Sequence, residues 1–321
     1  MDVIHYTVMG REVLQNLAPP ITPSLLVDAT LGEGGHSDLF LSQYPDLQVI
    51  GLDADADIIE RARVRLSRFG DRVQFENVWF DDYFTTVSHG IPPALILFDL
   101  GISSYHYKRS TRGFSFQADE PLDMRLRRDS ELSAANMVNS LSEGELADIL
   151  FKFGEERYAR RIVSRIVRER ELRRIETTAE LAEIVSRAVP AEYRHGRIHP
   201  ATRTFQALRI AVNGELDRLE RALPAAVNRL APAGRIGVIS FHSLEDRVVK
   251  TVFRRMSQRS TDERIQPTMK EGSAVLKLIN KKPIRPAADE VGQNAASRSA
   301  KLRVAEKSSD AAPASLRGGK A

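Results

Sequence analysis

Residues 28–36 read DATLGEGGH, with Gly32, Gly34 and Gly35 directly after an apolar run. Glycines so placed let the backbone approach a ligand closely, and such strand-to-helix turns open many nucleotide sites. Asp53 closes a second apolar run, eighteen residues beyond Gly35. A carboxylate there can accept hydrogen bonds from both hydroxyls of a ribose. A dinucleotide fingerprint needs a third glycine, G-x-G-x-x-G, but the residues after Gly35 are His36, Ser37 and Asp38. Asp99 closes another apolar run, and Trp79–Phe80 offers an aromatic surface for adenine. Close backbone, a ribose acid, an aromatic ring and a second acid suit S-adenosyl-L-methionine, whose sulfonium favours carboxylates and aromatic faces. Taken singly, each feature has a plainer reading. The turn could be only a tight connection, Asp53 a helix cap, Trp79 and Phe80 core side chains, and His36 a cap or a ligand contact.

The elements that must position these residues follow from hydrophobic patterning. SLLVDAT (24–30), LQVIGLD (47–53), ALILFDLG (94–101) and RIGVISF (235–241) are Val/Ile/Leu-rich without alternation, as in parallel strands buried on both faces. HSDLFLSQY reads as a short helix, and residues 55–70 place Ile58, Ile59, Ala62 and Leu66 on one helical face. RVQFENV (72–78) is a weaker strand. Strands alternating with helices predict a Rossmann-like, doubly wound α/β fold. Between about Tyr105 and Ala211 the strand pattern stops, and residues 142–154, 155–174 and 177–189 read as helices. Thr177 and Glu180 have the spacing of a capping box. ELDRLERALPAAVNRL (215–230) then leads back into a strand. The organisation predicted is an α/β domain in two parts, 1–104 and 212–307, around an inserted all-helical domain, 105–211. LKLINKKPI and AKLRVAEK can close it as an antiparallel hairpin, and 308–321 reads as a disordered tail.

Composition narrows the chemistry. The 321 residues contain no cysteine, which excludes disulfides, thiolate metal sites and a cysteine nucleophile. No acid or histidine cluster has metal-ligand spacing, so no metal is expected. No run is long and apolar enough for a membrane span, and the N-terminus lacks the pattern of a secretory signal, so a cytoplasmic protein is expected. The net charge of +4 leaves an anionic partner open, and it leaves a homodimer open too.

Longer strings sharpen the reading. DATLGEGGHS (28–37), FDLGISS (98–104), RGFSF (112–116), PLDMRL (121–126), FGEERYARRI (153–162), HPATRTFQALRIAVNGEL (199–216), APAGRIGVISFHSLEDRVVK (231–250) and SAKLRVAEK (299–307) run in order along nearly the whole chain. With them the chain resembles the bacterial S-adenosylmethionine-dependent 16S ribosomal RNA cytosine-N4 methyltransferases. The resemblance implies cofactor contacts at Gly34, Gly35, His36, Asp53, Phe80 and Asp99. It also points to His106, where such proteins usually carry Gln. Other departures are Thr7 for the usual Pro, Glu120 for the usual Gly, and Ala295–Ala296 for the common Pro–Arg. None is expected to touch the cofactor turn.

Methylation at cytosine C5 typically needs a thiolate that adds to the ring, which this chain cannot supply. Methylation of the exocyclic amine is a direct displacement and needs none. Asp99 is the candidate catalytic residue, with the Leu100–Gly101 backbone beside it; holding cofactor alone is its other reading. Ser103 and Ser104 read as loop hydrogen-bonding groups. The target base must be single-stranded or swung out of a helix. Between Arg157 and Arg174 there are eight Arg against two Glu, alongside an apolar stripe of Ala159, Ile162, Val163 and Ile166. That segment could be a solvated face or a phosphate-binding one. His199, Arg203 and Asn213 are weaker substrate candidates. The expected partner is 16S ribosomal RNA within the small subunit. The alternatives are an amine acceptor in another nucleic acid, or a ribosome-assembly factor that only binds RNA.

Overall fold

Strand by strand, the apolar runs bury both faces. In the strand Leu95–Asp99, Leu95 and Leu97 enter one core while Ile96 and Phe98 enter the core on the opposite side. Only the terminal Asp99 escapes full burial. A strand sandwiched in this way reads as unbroken hydrophobicity rather than alternation. The computed structural model describes residues 7–20, 24–86, 90–258 and 274–309. They form two compact units, one from residues up to Gly101 and from Leu216 onward, the other Ile102–Glu215.

The first unit holds a seven-stranded sheet: β1 (Ser24–Asp28), β2 (Leu47–Asp53), β3 (Val73–Asn77), β4 (Leu95–Asp99), β5 (Arg235–Ser240), β6 (Leu276–Leu278) and β7 (Lys301–Lys307). The spatial order is β3-β2-β1-β4-β5-β7-β6. The first five are parallel, whereas β7 runs antiparallel between β5 and β6. The order reverses between β1 and β4, and a doubly wound sheet opens its ligand crevice at the carboxyl ends around that switch. The architecture is the Rossmann-like one expected, and LKLINKKPI and AKLRVAEK do contribute the paired β6 and β7. Of the tail, residues 310–321 lie outside those described.

The second unit is helical and has its own core, with Phe114, Met137, Leu146, Leu150, Ile162, Ile166 and Phe205 among its buried side chains. Helices Glu143–Gly154 and Thr178–Ala188 each start with a reciprocal capping box, Ser142 with Glu145 and Thr177 with Glu180. Two helical spans come out shorter than the sequence suggests. The span from 155 begins only at Ala159, because Glu155 turns left-handed at φ 48. The span from 55 gives way at Leu66 to a 3₁₀ stretch, Ser67–Arg72, broken at Gly70. Glu120 accepts a hydrogen bond from the Gly113 amide at 2.8 Å, so this departure from the family pattern clamps the RGFSF loop. Among the described residues, no helix is long and apolar enough to cross a membrane.

Candidate active site

Three neighbouring strands, β1, β2 and β4, end in Asp28, Asp53 and Asp99. The shape of the turn after β1 is set by its backbone. Gly32 has φ 53 and donates its amide to Asp53 Oδ2 at 3.0 Å. Gly34 caps the helix Gly35–Gln43 at φ 79, in the left-handed region that side chains resist. A Cβ on Gly34 would stand 3.0 Å from Leu66 Cδ1, and one on Gly35 would stand 2.6 Å from Thr7 Oγ1. Thr7 therefore packs directly over the turn, contrary to the expectation that no departure touches it.

Asp53 accepts one backbone amide on each oxygen, from Gly32 and from Asp55 at 2.9 Å. The helix-cap reading belongs instead to Asp55, which accepts the Asp57 amide and caps Ala56–Leu66. The aromatic pair also divides. Phe80 stays partly exposed, edge-on to Phe98 at 5.5 Å, whereas Trp79 is buried beneath the Arg218 guanidinium at 4.2 Å. Trp79 is thus a core residue, whereas Phe80 is only partly buried.

His36 is buried on the first turn after the glycines, with Nε2 at 3.0 Å from the Val8 carbonyl. That bond assigns the ring proton to Nε2. Nδ1 then faces Asp99 Oδ2 at 3.5 Å. Burial lowers the His36 pKa to about 4, so the ring is neutral at pH 7. Asp99 is anchored by its amide, which donates to Thr30 Oγ1 at 2.6 Å. Burial, followed by the charges of Asp28, Glu245 and Glu290, raises its carboxyl well above the usual range. Its Oδ1 is buried with no hydrogen-bond partner among the described residues. A carboxyl held against its charged form in this way is relieved by a cationic centre and penalised further by an anionic one. A pyrophosphate is therefore disfavoured here and a sulfonium favoured.

Asp28 and Thr30 were not singled out in the sequence, although Asp28 ends its strand just as Asp53 and Asp99 end theirs. Asp28 accepts Ser37 Oγ at 2.7 Å, and burial raises it to about 6. Beside Asp99, the Leu100 amide is committed to the Ile239 carbonyl, and Gly101 turns outward at φ 101. In the helical unit, buried His106 stands edge-on to Phe114 at 5.2 Å. Ser103 caps the short helix Ser104–Lys108 there. Asn213 spends its amide on Leu126, Met124 and Arg209, and His199 stacks on Phe116. Both thus have structural work within that unit.

The model of the MraW methylase family matches residues 2–308. The chain belongs to that family, and so is a methyltransferase. It is 51% identical over 309 residues to the ribosomal RNA small subunit methyltransferase H of Treponema denticola, covering 96% of this chain and 98% of that one. The same-named protein of Synechococcus elongatus is 48% identical over 303 residues, 94% of each chain. That of Borreliella burgdorferi is 45% identical over 290 residues, 90% of this chain and 92% of its own. In this chain the glycine turn, Asp53 and Asp99 lie at the ends of three adjacent strands, β1, β2 and β4.

Proposed function

We propose that this protein methylates the exocyclic N4 of a cytidine in small-subunit 16S ribosomal RNA, in the cytoplasm, with S-adenosyl-L-methionine as donor. The observation that carries the reading is the buried Asp99 Oδ1, unpartnered among the described residues and set among acids that disfavour its charge, beside a glycine-rich turn. Gly34, Gly35, His36, Asp53 and Phe80 would hold the nucleoside part of the cofactor. When bound, the cofactor supplies a methyl group on a sulfonium, open to direct displacement by an amine.

The cytosine amine is a poor nucleophile because its lone pair is delocalised into the ring. Asp99, ionised beside a positive centre, accepts a hydrogen bond from the amine and turns its lone pair toward the methyl carbon. Alignment of this kind is worth about 7–11 kcal/mol, and proton acceptance a further factor of about 10²–10⁴. The names of the relatives support the small subunit as target, and the absence of cysteine supports the amine over ring carbon C5.

Labelled methyl transfer to assembled small subunits and to naked ribosomal RNA, with nucleoside analysis, tests the reading. N4-methylcytidine is expected from the wild type, and a rate lowered about 10²–10⁴-fold from Asp99→Ala. If Asp99→Ala keeps its kcat and only weakens cofactor binding, Asp99 is a cofactor anchor and not a catalytic group. Methyl found elsewhere than on cytidine N4 would overturn the reaction.

A further inference from the structure

The arginine-rich segment does not act as one face. Arg165 pairs with Glu169, Arg173 with Glu180 and Arg174 with Glu176, while Arg170 donates to the carbonyls of Val138 and Leu141. These guanidiniums brace the helical unit. Arg160, Arg161 and Arg168 make no such contact among the described residues.

Arg157 lies apart, over the rings of Tyr158 and Tyr193 at 4.9 and 5.0 Å. With Arg197 and Arg203 it lines a cavity of about 310 Å³, completed by Tyr193, Glu192 and Ile198. The walls are set in advance. Glu156, fully buried, accepts Tyr193 Oη at 2.7 Å and the Tyr158 amide at 2.8 Å. Arg203 donates to the Glu155 carbonyl at 3.0 Å. Arg197 is exposed and uncommitted among the described residues.

Three arginines and one glutamate line this space, which is larger than a phosphate alone. Guanidinium forks match phosphate oxygens in pairs, and a guanidinium already laid on aromatic rings loses less freedom on binding. We propose that this pocket is a phosphate subsite, which grips the backbone of the substrate RNA rather than the base to be methylated. The proposal rests on the reading that RNA is the substrate.

The test uses the full chain and a short labelled single-stranded RNA of small-subunit sequence, with binding followed by anisotropy across a KCl titration. Each phosphate neutralised on a single strand contributes about −0.7 to the slope of log K against log salt. Arg197→Gln is expected to reduce the slope by about 0.7 and to weaken binding alike across sequences. Arg187→Gln removes the same charge from an exposed residue paired with Glu183, and is expected to leave the slope unchanged. In methyl transfer, Arg197→Gln should raise KM for RNA and leave kcat alone. If the two variants behave alike, charge at large is responsible and the pocket proposal falls, while the substrate reading stands. If the wild type neither binds nor methylates RNA, the substrate reading falls and the pocket proposal with it.

Discussion

Asp28 at the end of β1 and His36 on the helix that follows are both buried, and burial moves their pKa values in opposite directions, Asp28 up to about 6 and His36 down to about 4. For Asp28, the folded chain holds a proton that the unfolded chain loses near 3.8, so its contribution to stability falls as pH rises toward 6. For His36, the unfolded chain takes a proton below about 6.5 that the folded chain refuses until about 4, so its contribution rises with pH over that window. Each amounts to about 3 kcal/mol, and the two largely offset. Urea unfolding between pH 4 and 7 should separate them. Relative to wild type, Asp28→Asn should gain stability as pH rises, and His36→Gln should lose it. Difference curves of the same sign for both variants would show that burial does not govern this pair.

At the scale of elements, the turn proposed to hold the cofactor depends on backbone that only glycine tolerates cheaply. Gly34→Ala forces a side chain into the left-handed region and toward Leu66 at 3.0 Å, a cost of about 1–2 kcal/mol. The expected result is lower stability together with weaker S-adenosylmethionine binding by calorimetry; unchanged affinity would remove the turn from the site. This turn was legible in the sequence because glycine spacing and strand ends are local signals. So were β1, β2, β4 and β5, whose runs are buried on both faces, and the Thr177–Glu180 capping box. Long-range features were not legible. The fate of Trp79 depends on Arg218 from a distant helix, and the choice of Asp55 over Asp53 as cap depends on where the helix starts. The helix Ala201–Asn213 escaped notice as an element because Arg209 and Asn213 are buried in it, Arg209 through its pairing with Glu215. Buried polar positions of this kind blur the 3.6-residue period that reveals a helix.

At the scale of the whole molecule, the helical insert carries its own hydrophobic core and should answer to mutation as a unit. Ile162 is fully buried, and Ile162→Ala should cost about 2–5 kcal/mol. Native-state hydrogen exchange should show that loss across the helices from Ala134 to Asn213. An equal loss across β1–β5 would mean that a single cooperative unit spans the chain. The sheet carries a different consequence, one of timing. The strand that closes β5 is β7, which among the described residues also gives β6 its only strand partner. At 5–20 residues per second, a ribosome needs about 3–13 s to pass from Ser240 to Lys307. Throughout that interval the nascent β5 has an open edge, its amides and carbonyls able to pair with another chain. Synthesis of this methyltransferase therefore passes through a stage of exposure to aggregation, ended by a segment far along the sequence from the glycine turn.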